Sequence, residues 1–503
     1  GAIAPIGPSL RPLSKLHARP ADGRRNCMRR AFRTKSIEQI HSDCENQPHK
    51  LKRTLTLFDL TALGIGAIIG TGIFVLVGTA AVGDGDRPGA GPALALSFVL
   101  SGAACLLAAL CYAEFASMIP AAGSAYTYTY ATLGELFAWI TGWSLVLEYG
   151  IACVAVAIGW SGYLVSILER VGVHLPPMLI NAPHEGGLIN LPAVLIVLAL
   201  TVLLVIGIKE SARVTGVIVV LKIAVVLFFI VVGAFAVEPA NWSPFMPNGF
   251  AGVGAAAAVI FFAYIGFDAV STTAEEARNP QRDVPIGIIV SLAICTVLYI
   301  AVALVLTGIV PYSQIHVKAP VAEALNQAGI RWGGALVATG AVAGITSVLI
   351  VMLLGQIRVF YAMSRDGLLW PWLSAVHPRY GTPHHATLIT GVGVAILAGF
   401  VPIGVAAELT NIGTLFAFTL VCGAVLVLRK TRPDLKRPFR APFVPLLPIL
   451  GMAACLGLIG FLPPITWAGF LVWAAVGLIL YAVYGFRHSK LGKQAPVANQ
   501  AGS

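Results

Sequence analysis

Long apolar runs separated by short polar intervals fill the chain from Leu57 to Phe486, and twelve of them are long enough to cross a bilayer. Crossing about 30 Å of hydrocarbon takes about 20 predominantly apolar residues in a helix. The runs lie at 57–80, 91–113, 124–164, 190–207, 211–237, 250–275, 285–310, 332–362, 386–403, 408–429, 443–463 and 466–486. The pattern predicts an all-α polytopic membrane protein with twelve transmembrane helices. The third run is long enough to tilt strongly or to extend beyond the bilayer.

Composition and charge agree with this class. Only 11% of the 503 residues are charged and 57% are hydrophobic, whereas soluble chains carry about 25% charged residues. With the amino terminus inside, 28 of the 33 lysines and arginines fall on the cytoplasmic side. Arg87, Arg170, Lys318 and Arg331 fall outside, and Lys222 lies within a span. This bias predicts a multi-pass protein of the plasma membrane, the bacterial inner membrane being expected, with both termini cytoplasmic. The net charge of +11 is then a topological signal, and no nucleic acid partner is expected.

Residues 1–50 read as a basic, disordered cytoplasmic tail, 51–490 as the membrane domain and 491–503 as a second tail. The first tail lacks the apolar core of a secretory signal. An organellar presequence competes with that reading, against Asp22, Glu38, Asp43 and Glu45. The chain opens on Gly1 without methionine, which reads as a processing remnant or an added sequence. Cys27 and Cys44 lie in the tail, and Cys105, Cys111, Cys153, Cys295, Cys422 and Cys455 lie in spans without metal-type spacing. With no HExxH among the histidines, neither a metal nor a cofactor is expected.

The first run contains Gly64, Gly66, Gly70 and Gly72. Each glycine inside a helix costs about 0.8–1.0 kcal/mol relative to alanine. Peptide groups freed in hydrocarbon cost several kcal/mol more unless something satisfies them. Gly64, Gly66 and Gly70 mimic a dinucleotide fingerprint, but no βαβ unit surrounds them. Two readings remain for the run alone: tight helix packing through Gly66-xxx-Gly70, or a broken helix that holds a ligand. The stretch Phe261-Phe262-Ala263-Tyr264-Ile265-Gly266-Phe267-Asp268, five spans later, repeats the defect and adds an acid. Paired defects in corresponding positions of two halves point to a transport site. N–H groups at a half-helix start suit a carboxylate and C=O groups at a half-helix stop suit an ammonium, so a zwitterion fits between the breaks.

The stretches GIGAIIGTGIF, FFAYIGFDAVSTTAEEARNPQRDVPIGI at 261–288 and RVFYAMSRDGLLWPWLSAVHPRYGTPHHAT at 358–387 resemble the cationic amino acid transporter branch of the amino acid–polyamine–organocation superfamily. The resemblance covers about residues 50–490. It implies a leucine-transporter fold: a first repeat over 57–237, an inverted second repeat over 250–429, and two further helices over 443–486. It also implies that Ile68, Gly70, Thr71 and Gly72 meet the substrate carboxylate with backbone groups. Carbonyls of Phe262, Ala263 and Ile265 would meet the ammonium, and the Phe262 ring would cover the substrate from outside.

Lys222 sits too deep in the fifth span to snorkel. An ammonium at the bilayer centre costs about 2.5–3.5 kcal/mol on insertion scales, so it must be partnered or must titrate. The resemblance implies that it fills the space of a relative's sodium ion, against first-span carbonyls and the hydroxyls of Thr346 and Ser347. Two readings follow, a proton-exchanging cation or a permanent structural pin. Asp268 and Glu148 are the other acids well inside spans, each read either as a gating or proton-relay group or as a satisfied structural one; Glu114 lies near the inner end of the second span. Glu275, Glu276, Arg278 and Arg282 read as a closing latch or as a solvated loop.

Met352 fills a position where cationic-substrate relatives carry a smaller residue, which favours small neutral amino acids, alanine foremost. The expected protein is therefore a sodium-independent, proton-coupled amino acid importer, with the bilayer and the proton as its partners besides the substrate. A cationic transporter, an exchanger or a nutrient sensor of the same fold are the other readings. The sequence leaves open whether a small accessory subunit binds. A channel would need repeated charge or carbonyl rings, and an enzyme would need clustered nucleophiles or acid/base pairs; neither pattern is present.

Overall fold

The computed structural model describes residues 32–36, 39–40, 54–84, 87–119, 124–207 and 212–493. Most of the two expected tails, with Cys27, Cys44 and the loop residue Lys209, and the side chains of Arg213 and Glu275, lie outside the described residues. Among the described residues, eight helices are long and apolar enough to cross a membrane, or nine if one bent pair is a single span. The chain is a mostly helical, multi-pass membrane protein.

The bent pair comes first. α1 (Leu57–Ile68) starts on a capping box, in which the Thr56 hydroxyl accepts from the Asp59 N–H and the Asp59 carboxylate accepts from the Thr56 N–H. After a break, one π-helical turn (Gly72–Leu76) leads into α2 (Val77–Val82), with a 40° bend between the halves. A two-residue hairpin follows, β1 (Gly83–Asp84) with β2 (Arg87–Pro88). α3 (Leu94–Met118) then crosses the molecule.

The third apolar run resolves into two helices, α4 (Ser124–Thr132) and α5 (Glu135–Arg170). Gly134 stands between them at φ +98°, a conformation that side chains disfavour, and the polar interval Thr132-Leu133-Gly134-Glu135 marks this turn within the run read as one span. α6 (Leu191–Ile206) starts on Asn190, whose side chain accepts from the Ala193 N–H, and α7 (Ala212–Ala234) carries Lys222.

The second broken segment is α8 (Gly249–Ile260), a 3-10 turn (Phe261–Tyr264) and α9 (Ala269–Thr272). Next come α10 (Pro280–Ile309), α11 (Pro320–Gln327), α12 (Arg331–Arg365), α13 (His384–Phe400), α14 (Ile403–Thr431), α15 (Leu446–Gly460) and α16 (Pro464–Leu480). α6, α13 and α15 are apolar but shorter than the helices long enough to cross a membrane.

α3 packs along α10, and α5 along both α12 and α14. α1 lies against α10 and α7, and α6 against α13. The apolar side chains of Val217, Val220, Leu221, Val231, Leu471, Val472 and Ile479 point outward, as lipid-facing positions of α7 and α16 would. α16 is fixed to α5 by stacked indoles: Trp143 and Trp473 lie 4.4 Å apart, and each Nε1 donates to the other's carbonyl.

Candidate functional site

The first break is a missing ladder bond. In a continuous helix the Gly70 N–H would donate to the Gly66 carbonyl. Here the Ile69 N–H still reaches Ile65, but the Gly70 N–H has no hydrogen-bond partner among the described residues. The orphaned Gly66 carbonyl instead accepts from Lys222 Nζ at 2.6 Å. Lys222 is fully buried, and its stem passes Gly344 of α12, where an added Cβ would lie 3.1 Å from Lys222 Cγ.

At the second break Ile265 is extended (φ −61°, ψ 135°) and Gly266 takes φ +115°. The two breaks touch. A Cβ on Gly72 would lie 2.2 Å from Ala263 Cα, and one on Gly266 would lie 2.9 Å from the Ala67 carbonyl oxygen. Glycine at both positions is therefore a condition of this crossing.

A small cavity lies at the crossing. Ile68, Gly70, Thr71, Gly72, Phe262, Ile265 and Met352, all predicted site residues, line it. Ala67, Ala152, Val156 and Val348, which the sequence gave no reason to single out, complete the wall. Thr71 supplies the one polar side chain among these lining residues, and its buried hydroxyl has no hydrogen-bond partner among the described residues. Ala263 is not among the lining residues; its backbone packs on Gly72.

The expected ammonium acceptors differ from one another. The Phe262 carbonyl already accepts from the Ile265 N–H, whereas the Ile265 carbonyl has no partner among the described residues. The Ala263 carbonyl accepts from the Tyr299 hydroxyl at 3.0 Å, and the same hydroxyl lies 2.8 Å from the Ile68 carbonyl. Tyr299 of α10 thus ties the two breaks together. A buried tyrosine needs a partner for its hydroxyl, and this was the available signal, but an aromatic in an apolar helix reads first as packing. Tyr299→Phe should weaken substrate binding about tenfold, the scale of one buried hydrogen bond, without lowering the yield of folded protein. Scintillation-proximity binding on purified protein measures this.

Thr346 and Ser347 spend their hydroxyls elsewhere. Thr346 Oγ1 donates to Val342 and accepts from Trp160 Nε1 at 2.9 Å, and Ser347 Oγ donates to Gly344. The hydrogen bond of Lys222 goes to Gly66 instead.

Asp268 follows the second break and its Oδ2 accepts from the Tyr149 hydroxyl at 2.5 Å. Among the described residues its Oδ1 and both carboxylate oxygens of Glu148 have no partner at hydrogen-bond geometry, with the Thr414 hydroxyl the neighbour of Glu148, and the two acids sit near enough for their charges to interact. The buried hydroxyls of Tyr112 and Tyr128 and Gln356 Oε1 are unpartnered too. Unpaired buried polar groups are costly.

Glu114 is bound differently, by the Arg429 guanidinium at 2.6 and 2.8 Å, by Arg437 and by the Ala441 N–H. This cluster locks α3 to the end of α14. Further contacts close the ends of the broken segments. Arg87 in the hairpin pairs with Asp84 and, at 2.5 Å, with Glu408 of α14. At the opposite ends of the broken segments, Glu276 lies 3.8 Å from Arg358 of α12, Arg278 Nε donates to the Thr54 carbonyl, and Leu55 bridges to Ala277.

Two broken helices that cross at a buried cavity inside a multi-pass bundle define a membrane carrier. A profile for amino acid permeases matches residues 55–483, and the chain belongs to that family, within the amino acid–polyamine–organocation superfamily. It is 53% identical over 467 residues to the branched-chain amino acid permease BcaP of Bacillus subtilis, covering 92% of this chain and 99% of that protein. It is 50% identical over 464 residues to the methylthioribose transporter of the same organism, with the same coverage. The vacuolar cationic amino acid transporter 4 of Arabidopsis thaliana is 41% identical over 416 residues, 81% of this chain and 68% of that one. The protein is a transporter and not an enzyme.

Proposed function

We propose that this permease is a secondary active importer of small and medium neutral L-amino acids, coupled to protons, independent of sodium and working by alternating access. The observation that carries the reading is the cavity at the crossed breaks: backbone polar groups at its rim, one threonine hydroxyl, and otherwise apolar walls. The residues that line it are buried, which suits a small, enclosed solute. The Gly70 N–H and Thr71 would take the carboxylate, the Ile265 and Phe262 carbonyls the ammonium, and Ala152, Val156, Val348 and Met352 the side chain. Similarity to permeases named for branched-chain amino acids and methylthioribose agrees with an uncharged, partly apolar substrate.

The proposed architecture is twelve spans in the leucine-transporter fold, with α6, α13 and α15 counted as spans. Helix pairings support the inverted repeat, because they recur when the first five spans are exchanged for the next five. α1 on α10 answers α8 on α3; α5 on α14 answers α12 on α7; α3 with α10, α5 with α12 and α6 with α13 each map onto themselves. Both ends of the chain would face the cytoplasm of a cell whose plasma membrane holds the protein, following the distribution of basic residues.

A cationic substrate is the second reading. Glu148, one helical turn before the lining residue Ala152 on α5, is a buried acid whose carboxylate oxygens have no partner at hydrogen-bond geometry among the described residues, the kind of group a basic side chain would seek. A competition panel of all proteinogenic amino acids against labelled alanine, in proteoliposomes at two external pH values, separates the two. Small neutral amino acids should compete, arginine should not, and external acid should raise uptake. Arginine outcompeting alanine would overturn the substrate assignment.

A further inference from the structure

The basic segment before the first span is docked where it can be described. Residues 32–36 lie across the turn between α4 and α5. The Lys35 N–H donates to the Tyr130 carbonyl at 3.1 Å and the Glu135 N–H donates to the Arg33 carbonyl at 2.9 Å, a strand-like pair of bonds around Gly134. A Cβ on Gly134 would lie 2.7 Å from the Phe32 backbone, so the turn is shaped to receive this segment. The Phe32 ring meets Phe137 at 6.1 Å, and Ile40 is buried. Lys35 Nζ lies 3.1 Å from Asp366 Oδ1, while the other oxygen of Asp366 accepts from Tyr126 at 2.7 Å. Asp366 caps α12, and its carbonyl accepts from the Lys490 N–H beyond α16. The segment therefore joins α4 and α5 to α12 and to the last described helical turn.

We infer that this is an intramolecular docking site, a groove for an extended aromatic-basic peptide whose occupant is residues 32–36 of the same chain, and that its occupation holds this end of the carrier shut. The mechanical link is short: α4, which the strap presses, reaches the lower half of the second broken segment through Ser124 and Ser271, whose hydroxyls are 3.2 Å apart. Releasing the strap frees α4 to move away from α9. Neither the substrate assignment nor the coupling ion enters this inference.

The test reads access to that contact in detergent, so it is independent of orientation in the membrane. In a Cys27→Ser/Cys44→Ser background the six described native cysteines are buried, and Ser124→Cys provides the probe. Lys35→Ala and Phe32→Ala should each raise the labelling rate by a bulky thiol reagent about fivefold, the population change that a partly exposed ion pair can supply. Lys35→Arg should label as the parent does. A chain lacking residues 1–40 should label fast, and a synthetic peptide of residues 28–40 should slow it again while a scrambled peptide does not. If the truncated chain fails to fold, the two point variants decide. Parent-like labelling of Lys35→Ala and Phe32→Ala, or equal slowing by the scrambled peptide, would overturn the inference.

Discussion

Gly72→Ala is expected to abolish saturable amino acid uptake in proteoliposomes while the protein still inserts and purifies. The added methyl carbon would lie 2.2 Å from Ala263 Cα, 2.4 Å from Ala263 Cβ and 2.8 Å from Ala263 N. Two of these three atoms are backbone, which cannot swing aside as a flexible side chain can. Relieving the overlap requires the two breaks to part, and that displaces the Gly70 N–H and the Ile265 carbonyl from opposite ends of the same cavity. Misplacement of about 1 Å in a positioned site costs roughly a hundredfold in comparable constellations. Gly393→Ala on α13 is the matched control, since nothing lies within 4 Å of its added carbon. It should transport normally, and the helix gains about 0.8–1.0 kcal/mol of propensity from the change. Near-native uptake by Gly72→Ala would mean that the crossing is not the transport site.

The breaks were legible because glycine in an apolar helix is an energetic anomaly, and two anomalies five spans apart reinforce each other. The helices were legible because hydrocarbon thickness fixes their length; each apolar run coincides with a helical stretch. What escaped the sequence depends on direction rather than composition. Gly134 turns the chain at the short polar interval Thr132-Leu133-Gly134-Glu135, which the long apolar stretch after it outweighs when 124–164 is taken as one run. Thr346 and Ser347 resemble cation ligands by position, yet helical hydroxyls commonly bond back to the preceding turn, as both do here. Tyr299 looks like core until its hydroxyl is placed between two carbonyls. A basic, proline-containing stretch reads as a free tail, and only the acid at Asp366 and the turn at Gly134 reveal that residues 32–36 have a seat.

Lys222→Ala is expected to eliminate the stimulation of uptake by external acid while substrate binding partly survives. The reasoning starts from the missing bond between Gly66 and Gly70. Opening it releases one acceptor and one donor; Lys222 holds the acceptor, and the donor is left at the cavity. The ammonium and the proposed carboxylate site are thus the two ends of a single broken peptide contact, four residues apart on one backbone segment. A charge-assisted bond of this kind contributes about 1.5–3 kcal/mol. Its loss when Lys222 gives up a proton would let the Gly66 carbonyl recapture the Gly70 N–H, closing the ladder and withdrawing a substrate contact. Proton occupancy and substrate occupancy would then be coupled reciprocally, as any linkage must be. A permanently charged pin predicts something else: Lys222→Ala would lower binding and uptake together, and the ratio of uptake at two external pH values would stay that of the parent. Counterflow exchange and pH-gradient-driven uptake measured on the same vesicles separate the two outcomes. In the proton-coupled case exchange persists at a reduced rate, whereas accumulation against a gradient disappears.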